Sequence, residues 1–245
     1  MEVHPHTHTS RKKFTHYLWE FLMLFLAVFC GFLAENFREH QVEHQREKQF
    51  IRSLKEDLLQ DITSLKEIAD NLNDNVKRMD SLKYLLYNDD IKNHGADIYY
   101  LGRRASRGGW LSLHDRSIQQ MKNSGGFRLI RNERVSKAII EYYNRLVFIE
   151  RLQNIDMSEV DEYKKLAIEV FDPVIFDGVV GVDNSINKPE GNPALLIYDR
   201  HILLRMAGIV SYTKNSRLAL AKAENEMKVA AEELIVLLNK EYHLE

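Results

Sequence analysis

Residues 21–34 (FLMLFLAVFCGFLA) carry no charge and no strong polar group, and Glu20 and Glu35 bracket them. As an α-helix such a run rises about 21 Å, short of the ~30 Å hydrocarbon core of a bilayer. Tyr17, Leu18 and Trp19 extend the apolar surface on one side and Phe37 on the other. The whole then reaches about 31 Å, with aromatic rings where a membrane interface favours them. A cleaved signal sequence and a buried core helix are the rival readings. Cleavage after Ala34 would set bulky Phe32 where a small residue is needed, and Phe29 before Cys30 is too large for lipoprotein-type processing. The pattern predicts a retained transmembrane helix over residues 16–37, preceded by a polar tail over residues 1–15.

Beyond the span the period changes. No Gly or Pro occurs from Glu35 to Tyr87, so the helix is expected to continue. Ile51, Leu54, Leu58, Ile62, Leu65, Ala69, Leu72, Val76 and Met79 step 3-4-4-3-4-3-4-3, a heptad seam with one stutter. Near the other end Leu220, Ala223, Met227, Ala230, Leu234 and Leu237 step 3-4-3-4-3. Two matched seams predict antiparallel packing within one chain, as the stalk of a helical bundle. A parallel seam between copies is the compatible alternative. Between them, Asn88-Asp89-Asp90 and Asn93-His94-Gly95 read as turns. Helices are expected over residues 115–122, 133–153 and 156–171, and again from Ala194 with a kink at Gly208. Residues 172–193 hold three of the four prolines and read as a loop or a short β-hairpin. The predicted fold class is all-α.

Charge adds an orientation. Arg11, Lys12 and Lys13 precede the span, and only Arg38 follows within seven residues. By the positive-inside rule the tail is cytoplasmic and residues 38–245 form an exoplasmic helical domain. Cys30 is the only cysteine, so that domain contains no disulfide. The segments EFLMLFLAVFCGFLAENFREHQVEHQREKQ and SGGFRLIRNERVSKAIIEYYN resemble an uncharacterised Bacteroidota family of single-span, membrane-anchored helical proteins grouped under a domain of unknown function. The resemblance implies a bacterial inner-membrane protein with a periplasmic domain. It supplies no activity and no catalytic residue.

Several motifs carry candidate chemistry. His40-Gln41-Val42-Glu43-His44 is an H-x-x-E-H match, with two imidazoles four apart and a carboxylate beside them, as in inverted zinc proteases. It sits in a run of Glu and Arg that reads as a solvated helix face, so zinc hydrolysis is the third-ranked function. Glu20 is an acid at the edge of a span, where an ion-coupled complex would place one, and an accessory subunit of such a complex is the second-ranked function. Headgroup contact, or pairing with Lys13 or His16, is the plainer role. Ala27 and Gly31 form a small-xxx-small step that permits close helix contact in lipid. His4, His6 and His8 alternate in the tail and read as a solvated stretch with incidental metal affinity. Residues 101–137 carry nine basic residues, Arg103, Arg104, Arg107, Arg116, Lys122, Arg128, Arg131, Arg134 and Lys137, against Asp115 and Glu133. Such a patch suits an anionic partner or internal pairing with acidic helices; nucleic acid is not expected outside the cytoplasm. Gly108-Gly109 and Gly125-Gly126 match no phosphate loop, and Ser112, Ser117 and Ser124 have no nucleophile context.

The first-ranked expectation is a membrane-anchored interaction or scaffold module. It would contact the lipid bilayer and a membrane-protein or anionic partner, and self-associate through Ala27, Gly31 and the seam from Ile51 to Met79. No catalytic, cofactor or metal residue is assigned.

Overall fold

The computed structural model describes residues 14–108, 111 and 113–244. The tail histidines, Arg11, Lys12, Lys13, Gly109 and Ser112 lie outside the described residues. Among the described residues the chain is all-α: α1 (Phe14–Tyr87), α2 (Gly95–Ala105), α3 (Arg116–Asn123), α4 (Glu133–Val170), α5 (Pro173–Gly178) and α6 (Arg200–Tyr242). Two 3₁₀ turns, Ile91–Asn93 and Gly126–Leu129, complete the described elements. The chain divides into two compact units, residues 1–49 and residues 50–245.

In the first unit the apolar stretch of α1 has no protein cover. Trp19, Phe21, Leu24, Phe25 and Phe32 are all exposed, and none of the most apolar 18-residue window is buried within the chain. The helix is long and apolar enough there to cross a membrane.

The second unit is an up-down-up-down bundle whose second helix is broken into α2 and α3. Register follows from named contacts. Arg200, the first residue of α6, donates to the last carbonyls of α1, Tyr87 O at 3.0 Å and Leu86 O at 3.4 Å, and Lys214 reaches Asp80 at 2.9 Å. α6 is therefore antiparallel to α1. Asn132 Nδ2 donates to Glu241, and Arg217 to Asp156, so α6 is antiparallel to α4 as well. α1 and α4 consequently run parallel, and the α2–α3 segment brings the chain back between them.

Two apolar cores fill the bundle. One gathers Ile51–Leu72 positions of α1 with Ile118 and Met121 of α3, Val135, Ile139 and Ile149 of α4, and Leu220–Tyr242 positions of α6. The other gathers Met79, Leu82 and Leu86 with Ile98 and Tyr99 of α2, Tyr163 and Val170 of α4, and Leu203–Val210 positions of α6. Leu54, Leu58, Leu65, Ala69 and Leu72 are thus buried inside the chain's own bundle.

Three expectations are corrected in detail. Residues 133–170 form one helix, because Asn154-Ile155 contains no breaker and Asp156 points into the core instead of starting a new helix. α6 begins at Arg200, where the Asp199 side chain accepts from Ile202 N–H, and runs through Gly208 without a break. The loop-or-hairpin segment begins with α5, set by Pro173 at its first turn and by the Asp172 carboxylate accepting from Val174 and Ile175 N–H. Strand pairing there is confined, among the described residues, to one antiparallel bridge between Val180 and Ile186.

Candidate functional site

The break between α2 and α3 exposes backbone groups inside the bundle, and buried polar side chains of the three long helices receive them. At the end of α2, Arg217 is fully buried and donates to Asp156 (2.8 Å), Asn75 Oδ1 (2.7 Å) and the Ala105 carbonyl (3.2 Å). Asn75 Nδ2 donates to the Arg104 and Arg107 carbonyls, and Tyr163 O–H to that of Gly102 at 2.8 Å. A cation thus sits at a helix C-terminus, where the dipole favours it. At the start of α3 the signs invert. Asp57 accepts from Ser117 N–H at 2.8 Å, and Asp61 accepts from His114 N–H at 2.7 Å and from Tyr142 O–H at 3.0 Å. Burial raises the Asp61 carboxyl above its ordinary range, opposed by the donors from His114 and Tyr142.

His114 Nδ1 lies 3.0 Å from Asp61, which is the orientation of an acid–histidine pair in nucleophilic enzymes. Among the described residues no nucleophile completes the set. The Ser117 hydroxyl is buried and makes no hydrogen bond, so the imidazole does not activate it. Both polar layers therefore act on backbone, fixing where the second helix stops and resumes.

The motifs singled out along the chain fall as follows. Glu20 pairs with His16 Nε2 at 2.9 Å. His40 and His44 each turn toward the glutamate three residues on, Glu43 at 3.8 Å and Glu47 at 3.3 Å, and each imidazole is about half exposed. Among the described residues no group of three or more His, Cys, Asp and Glu could hold a metal. The basic stretch of residues 101–137 is divided between the two ends of the second unit. Arg107 donates to the Asn184 carbonyl and side chain at 2.9 Å each, Arg104 lies over Tyr100, Arg116 is 3.8 Å from Asp57, and Lys137 pairs with Glu133.

Arg103 stands apart. Its guanidinium lies over the Phe176 ring, 4.9 Å from the centroid, and its Nε is buried with no acceptor among the described residues. It borders a cavity of about 490 Å³ between α2, α4 and α5, walled by Ala167, Ile168, Phe171, Pro173 and Phe176, with Ser106 and Lys164 beside it. Phe171 and Phe176 stack at 4.6 Å, and Tyr99 packs on Phe171 at 5.2 Å. The phenyl ring can lie against α2 only because residue 102 is glycine; a Cβ there would collide with Phe171. A wider groove of about 850 Å³ along α6 carries both signs, Arg145 and Lys222 against Glu226 and Glu233, and selects no charge. Sequence reading counted Arg103 within a patch and missed the cleft, since its walls come from three elements far apart in the chain.

Comparison with protein-family models, with curated proteins and with solved structures found no match to this chain.

Proposed function

We propose that this protein is a single-pass, membrane-anchored helical module whose second unit serves as a platform for interaction. One observation carries the reading: the chain combines a span-length apolar helix segment that has no cover of its own with a bundle that buries its own seam. Exposing so many large apolar side chains to water would cost ~25 cal/mol for each Å² left wet, and a bilayer removes that cost. The basic residues before the span set the orientation, with the tail in the cytoplasm and the bundle outside. The resemblance in sequence points to a bacterial inner membrane and a periplasmic bundle.

Because the seam from Ile51 to Met79 is satisfied within one chain, contact between copies or with another membrane protein falls to the span. A Cβ built on Gly31 meets nothing within 4 Å, so this chain's own packing does not require that glycine. The Ala27/Gly31 face suits a second helix approaching in lipid.

Alkaline carbonate should leave the protein in the membrane pellet, and release into the supernatant refutes the anchor. Protease added to sealed spheroplasts should digest the bundle; protection reverses the orientation. Gly31→Leu should lower the oligomeric state in mild detergent while the bundle's melting stays unchanged. A monomeric wild type refutes self-association.

A further inference from the structure

We infer that the cleft between α2, α4 and α5 binds the free carboxylate form of a long-chain fatty acid, with the head on Arg103 and the chain along Phe171, Phe176 and Ile168. Three features select this ligand. The walls are apolar and aromatic, and Ile168 and Val174 near them are strongly exposed, which matches an aliphatic chain more than a polar metabolite.

Charge is the second feature. Among the described residues the cavity lining contains Arg103 and Lys164 and no carboxylate. Among the described residues Lys164 makes an exposed pair with Asp161, the kind of contact worth little and easily exchanged. Arg103 is held in place by the Phe176 ring, leaving its planar fork preset for a carboxylate.

The third feature disfavours an extended peptide. α2, α4 and α5 present side chains only, because their backbone groups are used within the helices, so no row of main-chain donors and acceptors is available for an extended segment. At about 490 Å³ the cavity is at the small end for ligand pockets, suiting one chain and one head.

The test uses the full chain in phosphatidylcholine nanodiscs and a diazirine-bearing C16 fatty acid, with the crosslink mapped by mass spectrometry of tryptic peptides. Labelling is expected in the tryptic peptide spanning residues 166–200, since Pro189 protects the bond after Lys188. The same chain with a trimethylammonium head should label that peptide at least about tenfold less, the loss expected when a charge-assisted contact becomes a repulsion. Arg103→Glu should reduce labelling by a similar factor. Ile168→Asp should do the same from the apolar wall, at a position exposed enough for folding to survive. Labelling confined to residues 14–38, equal labelling by the two head groups, or full labelling in both variants would each overturn the inference. The head-group comparison on the wild type stands even if a variant fails to fold.

Discussion

Glu224 allows the energetics of the bundle to be tested by a single atom exchange. It lies on α6 between Leu220 and Met227, wholly buried, and neither carboxylate oxygen has a hydrogen-bond partner. Removal from water pushes its pKa up from 4.5 to about 7, with no neighbouring charge contributing. That displacement corresponds to ~3 kcal/mol. The sign follows from proton binding. The folded state holds the proton more tightly than the unfolded one, so ionisation costs nothing below the unfolded value near 4.5. The cost grows as pH rises and is complete above about 7.

Glu224→Gln keeps the shape, keeps a neutral polar group without a partner, and cannot titrate. At pH 4 the variant should match the wild type to within about 1 kcal/mol, since both then bury an unsatisfied neutral group. At pH 8 the variant should be more stable by ~3 kcal/mol. For a bundle of this size that corresponds to a gain of roughly 6–12 °C in Tm. Thermal unfolding of the full chain in detergent, followed by circular dichroism at both pH values, reads the difference directly. Asp61 and Glu159, whose pKa values are also raised by burial, contribute equally to both proteins and cancel. Glu224→Leu should stabilise at both pH values, because it removes the unsatisfied group altogether. A variant-minus-wild-type difference that does not change with pH would refute the reasoning, as would a variant less stable at pH 8.

Other perturbations follow from the same contacts. Arg217→Ala leaves Asp156 charged and buried without a partner and should cost ~3–5 kcal/mol by thermal unfolding, whereas Arg217→Met with Asp156→Leu should recover much of the loss. Asp57→Ala removes an acceptor from the start of α3 and should cost ~1 kcal/mol, with faster amide exchange at Ser117 as its local signature. Leu65→Asp with Leu72→Asp puts two carboxylates in the first core and should abolish cooperative melting; a smaller particle with helicity intact would instead assign the seam to contacts between copies. Gly125 adopts φ +66°, so Gly125→Ala should cost ~1–2 kcal/mol in the same assay.

The parts of the fold legible in the sequence were those with a long, uninterrupted period: the apolar helical stretch near the N-terminus, the helix beyond it, the antiparallel answer from α6, and α3 before its glycine stop. α2 escaped because Gly95, Gly102 and consecutive arginines give it weak local preference, and it forms where Tyr163 and Arg217 hold it against the long helices and its own Tyr99 donates to the Ala194 carbonyl. The cleft was not legible for a related reason: no local pattern announces that Arg103, Ile168 and Phe176 share one wall.

The polar layers are different, because a signal for them was present. The buried stripe of α6 is Thr213, Arg217, Leu220, Glu224, Met227, Ala231, Leu234 and Leu238, an unbroken 4-3-4-3-4-3-4 register. A reading restricted to apolar residues takes Ala223, Ala230 and Leu237 at alternate places, each less buried than its neighbour one position on. The same substitution on α1 puts Ile62 where Asp61 is the residue with no exposure. Polar residues that keep the period of a buried seam mark places where the bundle must satisfy something other than a side chain. Arg217, Asp57 and Asp61 satisfy the open ends of a broken helix. Glu224 alone keeps the register and satisfies nothing among the described residues, which is why its removal is expected to raise stability where removal of the others lowers it.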